Sequence, residues 1–166
     1  MGSRETRLER LAREHSVAVA NYLRRRLYPL SPSDLDDLVE EVLVVVWRRI
    51  DSVPADAELP WMIGVARNVL NNARRRQNTR DTYAATVVPV RSDSSAEEYV
   101  VADMAVREAL SALSEADREV LLLHFWDGLD PGALATVLSV SSNAAAVRLS
   151  RAQVRFREQM TAHQIG

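Results

Sequence analysis

Apolar residues recur at helical spacing along most of this chain, and the breaks between runs fall at proline, glycine and short polar clusters. Leu8, Leu11, His15, Val19, Tyr22 and Leu23 lie near one face of a helix over residues 4–27, which Pro29 and Pro32 terminate. Ser33, with Asp36 three residues on, predicts the N-terminal cap of a second helix. Along it Leu35, Leu38, Val39, Val42, Val46 and Ile50 recur at helical spacing. Residues 51–58, with Pro54, read as a loop, and Trp61, Val65, Ala66, Val69 and Ala73 give a third helix its apolar stripe. The periodicity then fails. Residues 78–97 hold Pro89 and the run Ser92-Asp93-Ser94-Ser95, and only Val87–Val90 has strand-like composition.

The pattern resumes with Tyr99, Val100, Met104, Val106 and Leu110 on a helix ending near Leu113. Ser114 with Asp117 caps the next, which runs through Leu121, Leu122 and Phe125 and stops at Gly128. Asp130-Pro131 is a strong start signal, an N-cap acid followed by proline at the first helical position. Leu134, Ala135 and Leu138 fill that short helix, Ser139-Val140-Ser141 forms a turn, and a last helix covers residues 142–161. The expectation is an all-α protein of two small helical domains, residues 1–80 and 98–166, joined by a flexible linker over residues 81–97.

Length and composition agree with that plan. A chain of 166 residues, 47% apolar, forms one ordinary domain or two small ones of modest core. It has no stretch of eighteen apolar residues and no signal-peptide core, so no membrane span is expected. The absence of cysteine excludes disulfides, zinc ribbons and thiol catalysis, and a cytoplasmic location fits.

The net charge of −2 hides a segregated distribution. Residues 61–80 hold five arginines and no acid; residues 93–119 hold eight acids and two arginines. Every cationic side chain is arginine, which suits bidentate contact with phosphate or guanine but also follows from a GC-rich coding bias.

Three segments carry candidate chemistry. The first is residues 130–157: a short helix, a three-residue turn and a longer helix, the form of a helix-turn-helix with no acid between Asp130 and Glu158. Val140 can plug the space between its helices, with Ala145, Leu149, Ala152 and Phe156 on the buried stripe. Ser142, Asn143, Ala146, Val147, Ser150 and Arg151 are left outward, and Arg148, Arg151 and Arg155 share a flank. The bland alternative is a helical hairpin with a solvated arginine face. The second is the helix after Trp61, whose non-core faces carry Arg67, Asn68, Asn71, Asn72, Arg74, Arg75 and Arg76. Asparagine suits base edges and arginine suits phosphates, although arginines also complement a helix C-terminus. The third is Asp34-Leu35-Asp36-Asp37-Leu38-Val39-Glu40-Glu41, where Asp37 and Glu41 share a face. Paired carboxylates can serve acid–base or metal chemistry, but no histidine or Gly-rich loop stands nearby. The readings left are a solvated face and a docking surface for a basic partner. His15, His124 and His163 are far apart and make no ligand motif, and His124 beside Phe125 reads as structural. No catalytic group, metal or cofactor is expected.

These three segments, in this order, resemble the bacterial extracytoplasmic-function sigma factors, the minimal members of the sigma-70 family. Residues 34–49 are similar to the region 2 helix that docks on the polymerase clamp helices, residues 59–76 to the helix that engages the −10 element, and residues 110–157 to region 4, which reads the −35 element. The resemblance implies a non-enzymatic subunit that binds core RNA polymerase and directs it to promoters. It implies polymerase contacts from Asp34, Asp37, Leu38, Glu41, Val42, Val45 and Trp47. It implies −10 contacts from Arg67, Asn68, Asn71, Asn72, Arg74, Arg75 and Arg76, and −35 contacts from Ser142, Asn143, Val147, Arg148, Ser150, Arg151 and Arg155. The loop at 51–58 would help capture a base flipped from the −10 strand, with Trp61 beneath it as core. Linker acids Asp93, Glu97 and Glu98 either mimic nucleic-acid charge or serve solubility. An anti-sigma factor is the implied regulator.

The chain departs from the family at four places. Ser139 stands where glycine is common, Ala146 where arginine or lysine is usual, and Glu40 where glutamine is frequent; the 51–58 loop has three acids and no arginine. Competing readings are a helix-turn-helix regulator independent of polymerase, a helical hydrolase or metal enzyme, and a helix-binding adaptor.

Overall fold

The computed structural model describes residues 2–84 and 103–165, and all regular structure among them is helical. The chain divides into two compact units, residues 1–91 and 92–166. Unit 1 holds α1 (Ser3–Arg24), α2 (Leu35–Arg48) and α3 (Glu58–Ala84); unit 2 holds α4 (Met104–Ser111), α5 (Glu115–Phe125), α6 (Pro131–Leu138) and α7 (Ser142–Ile165). The division falls within the tract read as linker. Helix α3 occupies the first residues of that tract, through Ala84; the remainder, with Val87–Val90, Asp93 and Glu97, lies outside the described residues, as do Glu98, Tyr99 and Val100 at the start of the second expected domain.

In unit 1 the three helices pack pairwise on one another. Leu11, Val19 and Leu23 from α1 meet Leu38, Val42 and Val46 from α2 and Met62, Ile63, Ala66 and Leu70 from α3 in one buried core. Helix α1 ends at Arg24, before the expected Leu27, because Arg25 and Arg26 donate back to the carbonyls of Asn21 and Leu23 and close the last turn. Leu27 is buried all the same. The cap before α2 also differs from expectation. Ser31, not Ser33, forms the capping box: its Oγ accepts from the Ser33 amide, and the Asp34 carboxylate accepts from the Ser31 amide at 2.8 Å. Two Ser-x-x-Asp registers overlap here, and Pro32 at the first helical position selects the earlier one. A single 3-10 turn, Pro32–Asp34, therefore precedes α2.

Arginines fasten the loops to this core. Arg7 donates to the carbonyls of Ile50 (2.9 Å) and Val53 (2.7 Å), holding the segment between α2 and α3 against α1. Arg10 grips both oxygens of Glu58, at 3.2 and 2.7 Å, at the first residue of α3. Arg74 reaches from α3 to the carbonyls of Arg26 and Tyr28, two groups that the end of α1 leaves without helical partners.

In unit 2, α7 packs against α4, α5 and α6. The expected caps form. Ser114 Oγ accepts from the Asp117 amide (3.2 Å), and Asp130 Oδ1 accepts from the Ala133 amide (2.9 Å) ahead of Pro131. Gly128, with φ +72°, turns the chain after α5 in the left-handed region that glycine alone enters without strain. Leu134, Ala135 and Val137 are buried in α6, while Leu138 and Val140 are half-buried. Arg118 is buried, and its Nε and Nη2 satisfy the carbonyls of Leu110 and Leu113 at the end of α4. His124 Nδ1 donates to the Leu129 carbonyl at 2.7 Å, the structural role expected of it. Two side chains assigned to apolar faces are instead exposed: Met104, at the first turn of α4, and Phe125, the last residue of α5.

The Arg10–Glu58 pair sets a pH dependence. The guanidinium fork holds the Glu58 carboxyl below its ordinary value of 4.5. A carboxylate whose folded pKa is depressed stabilises the fold fully above its unfolded pKa, and that contribution is lost as pH falls through the folded value. Glu58→Gln is expected to lower the thermal midpoint of unit 1 at pH 7, with the deficit shrinking steadily below about pH 4.5. Parallel melts at pH 7 and pH 3 check this; a deficit that does not change with pH contradicts it.

Candidate nucleic-acid interface

The helix-turn-helix is built as its sequence requires. Ser139 ends α6 in the left-handed conformation (φ 55°, ψ 47°), and the Val140 amide donates back to Ala135 O at 3.0 Å. A non-glycine residue held in this region costs on the order of 1 kcal/mol, so the turn is tight in spite of the serine. Ser141 then caps α7, its Oγ accepting from the Ala144 amide at 3.1 Å. Ala145, Leu149 and Ala152 are buried against the unit, with Phe156 half-buried below them. The opposite crest carries Asn143, Val147 and Ser150, all exposed, with Ser142 and Ala146 to one side and Arg148 and Arg151 to the other. All seven side chains assigned to −35 contact are exposed to solvent.

Arg155, although exposed, is also engaged within the unit. Its Nη1 sits 3.0 and 2.9 Å from the two carboxylate oxygens of Asp117, a well-shielded acid in the first turn of α5. The helical spacing that groups it with Arg148 and Arg151 is real, but this side chain leans over α5 and ties the two helices together.

On α3 the apolar stripe is wider than the sequence suggests, with Met62, Ile63 and Leu70 added to Val65, Ala66, Val69 and Ala73. Asn68, Asn72, Arg75 and Arg76 are exposed and Arg67 and Asn71 half-buried, leaving a polar face with no acid. Arg74 does not belong to that face, because its guanidinium is spent on the carbonyls of Arg26 and Tyr28. Trp61 is half-buried rather than core, with the Arg49 guanidinium 5.2 Å from its ring centroid.

On α2, two of the residues assigned to polymerase docking point the wrong way. Leu38 is 4% exposed and Val42 0%, so both pack the three-helix core and neither can touch a partner. The outer face carries Asp37, Glu40, Val44 and Trp47, with Asp34, Glu41 and Val45 half-buried. Val44, 42% exposed, is a docking candidate that the reading of the sequence missed. A signal existed: Leu43-Val44-Val45-Val46-Trp47 is five apolar residues in a row, and at 100° per residue no helix can bury them all on one side. Arg76 on α3 approaches Glu41 on α2 at 3.7 Å, so the two candidate faces of unit 1 adjoin.

Glu14, His15 and Glu58 come close enough together to share a cation. Glu58 is already held by the Arg10 fork, and the group reads as an ion-pair node between α1 and α3. No helix among the described residues is long and apolar enough to cross a membrane.

Comparison with known proteins agrees with this geometry. The family model "Sigma-70 region 2" matches residues 11–80, and "Sigma-70, region 4" matches residues 103–155. The RNA polymerase sigma factor NccH of Alcaligenes xylosoxydans xylosoxydans is 25% identical over 164 residues, covering 93% of this chain and 87% of that protein. The probable RNA polymerase sigma factor RfaY of Xanthomonas campestris is 29% identical over 134 residues, 75% of this chain; the chain spans only 34% of that relative's length. Among solved structures, CnrH in complex with the cytosolic domain of CnrY superposes with a TM-score of 0.59 at 23% identity, covering 93% of this chain and 88% of that one. The sigma factor RpoE in complex with the anti-sigma factor NepR, from Bartonella quintana, superposes at 0.57 and 18% identity, covering 95% and 96%. At these identities the superpositions speak to the fold.

The tether assigned to Arg155 is measurable. In a double-mutant cycle of Arg155→Ala and Asp117→Ala, the two substitutions are expected to couple by about 0.3–1 kcal/mol, the range of a partly exposed ion pair, while Arg151→Ala leaves stability unchanged. Zero coupling would show that Arg155 is not tied to Asp117 in solution and is available with Arg148 and Arg151.

Proposed function

Because this chain belongs to the sigma-70 family, with region 2 and region 4 in order on one polypeptide, we propose that it is an alternative sigma factor of the extracytoplasmic-function type. It binds core RNA polymerase and directs initiation at promoters bearing its −10 and −35 elements. The domain plan is a polymerase-binding and −10-binding domain over residues 1–80, a linker, and a −35-binding domain over residues 98–166.

One observation carries this reading. Each unit exposes a helix face of the sort its role needs, and the residues behind that face are buried and fixed. In unit 1 the acidic and apolar outer face of α2 (Asp37, Glu40, Val44, Trp47) suits the basic clamp helices of polymerase, and the adjoining α3 offers Asn68, Asn72 and Arg75 to the −10 strand. In unit 2 the exposed N-terminal half of α7 suits the major groove, with Arg148 and Arg151 placed for phosphates or guanines. The segment after α2, held by Arg7 through two carbonyls, is the fixed loop that receives a flipped base. A polymerase-independent helix-turn-helix regulator gives no purpose to the outer face of α2. The protein works without catalytic chemistry or a cofactor, in the cytoplasm.

One of the similar structures pairs the sigma factor RpoE with the anti-sigma factor NepR, and another pairs CnrH with the cytosolic domain of CnrY. We extend that to this chain: an anti-sigma factor covers the same exposed faces and keeps polymerase and DNA away.

Transcription by core polymerase from a related GC-rich host, on a library of random promoters, tests the function. Transcripts that depend on this protein, sharing two spaced elements, are expected; none, with no co-purifying polymerase, would leave the regulator reading in its place. Asp37→Arg combined with Val44→Ala is expected to weaken core-polymerase binding at least tenfold, about 1.4 kcal/mol, with no change in melting temperature. Unaltered affinity in a binding titration would remove the outer face of α2 from the docking site.

A further inference from the structure

The outward crest of α7 holds an apolar side chain where a surface that meets only phosphate has no use for one. Val147 lies between Asn143 and Ser150 at spacings of four and three, opposite Ala145, Leu149 and Ala152, which are buried. It is 38% exposed, and nothing in unit 2 covers the crest on which it stands. Exposed Arg148 and Arg151 flank it, and no acid occurs from residue 131 to 157. The crest is therefore suited to a polyanion, yet its centre can make no contact with phosphate.

We propose that Val147 is a specificity-determining residue that reads the methyl group of a thymine in the −35 duplex. This rests on the function proposed above and names what one side chain in that interface recognises. Among the groups that base pairs display in the major groove, the C5-methyl of thymine is the apolar one. A valine whose Cγ methyls face the groove gains from covering it, and gains nothing from the donor and acceptor edges of G·C. Neighbouring residues point the same way. Asn143, one turn earlier on the same crest, carries the amide that pairs in bidentate fashion with adenine N6 and N7. The exposed residues ahead of Arg148, Ser142, Asn143, Ala146 and Val147, include no guanidinium or ammonium to take guanine O6 and N7. The tip of this helix is thus built for an A·T step, with guanine contacts available only further along, at Arg148 and Arg151. The departure at Ala146, where the family usually has a cation, is part of the same apolar tip.

Replacing thymine by deoxyuridine removes the methyl alone and leaves every hydrogen-bonding group in place. The experiment uses holoenzyme formed from the full chain and core polymerase, on a promoter drawn from the library, with each −35 thymine replaced in turn. One position is expected at which deoxyuridine weakens promoter binding about fourfold, the worth of one buried carbon group. With Val147→Ala holoenzyme, thymine and deoxyuridine promoters are expected to bind equally at that position, while discrimination at the −10 element is unchanged. Val147 is a surface residue, and equal melting curves for the two proteins check that folding is intact. Indifference of the wild type to deoxyuridine at every −35 thymine overturns the proposal, as does a Val147→Ala protein that keeps the discrimination. In both cases protein-dependent transcription persists and the sigma function stands. If no transcript depends on the protein, function and inference fall together.

Discussion

Arginine forks on backbone carbonyls hold this molecule together where its helices stop. A helix leaves its last four carbonyls without partners, and units of three or four helices have no second layer of structure to cover them. Here Arg74 takes the carbonyls of Arg26 and Tyr28 beyond α1, Arg7 those of Ile50 and Val53 beyond α2, and buried Arg118 those of Leu110 and Leu113 at the end of α4. Arg26, also buried, bonds the Tyr22 carbonyl and lies 4.0 Å over that residue's ring. The planar guanidinium can engage two carbonyls at once and is always charged. A lysine-free, cysteine-free chain has no other staple of that reach. Charge-assisted bonds of this kind are worth more than neutral ones.

The same residue type also lines the exposed faces proposed to meet DNA, so under that proposal the chain uses arginine for two opposite purposes. What separates them is burial and partners. Arg74 and Arg155 are consumed by the fold, one by carbonyls and one by Asp117, while Arg75, Arg148 and Arg151 remain exposed beside them. A coding bias toward arginine explains why lysine is absent; it does not explain why residues 131–157, which hold the exposed Arg148 and Arg151, contain no acid.

Each functional helix divides its circumference in two. The inner sides of α2, α3 and α7 are spent on small cores, and the outer sides are what remains for partners. In unit 1 the two outer faces adjoin, with Glu41 of α2 and Arg76 of α3 at 3.7 Å. A partner that engages one face therefore sits beside the other.

Helix number, order and type followed from periodicity alone, and so did the caps at Ser114 and Asp130, because each is a local arrangement of a few neighbouring residues. Where two local solutions overlapped, as at Ser31 and Ser33, the wrong one was chosen. The family resemblance was also legible, since it resides in the order of motifs along the chain. The fate of individual side chains was not. Whether Leu38 and Val42 or Val44 faces a partner depends on which side of α2 meets α1 and α3, and the run from Leu43 to Trp47 is apolar on every side. Whether an arginine is free depends on acids and carbonyls brought near it from elsewhere: Arg74 is 46 residues from Tyr28 and Arg155 is 38 from Asp117. Sequence determined the helices and the order of their roles because those are governed by neighbours along the chain; packing alone decided which side chains remained available, because a long flexible cation is satisfied by whatever the fold places within its reach.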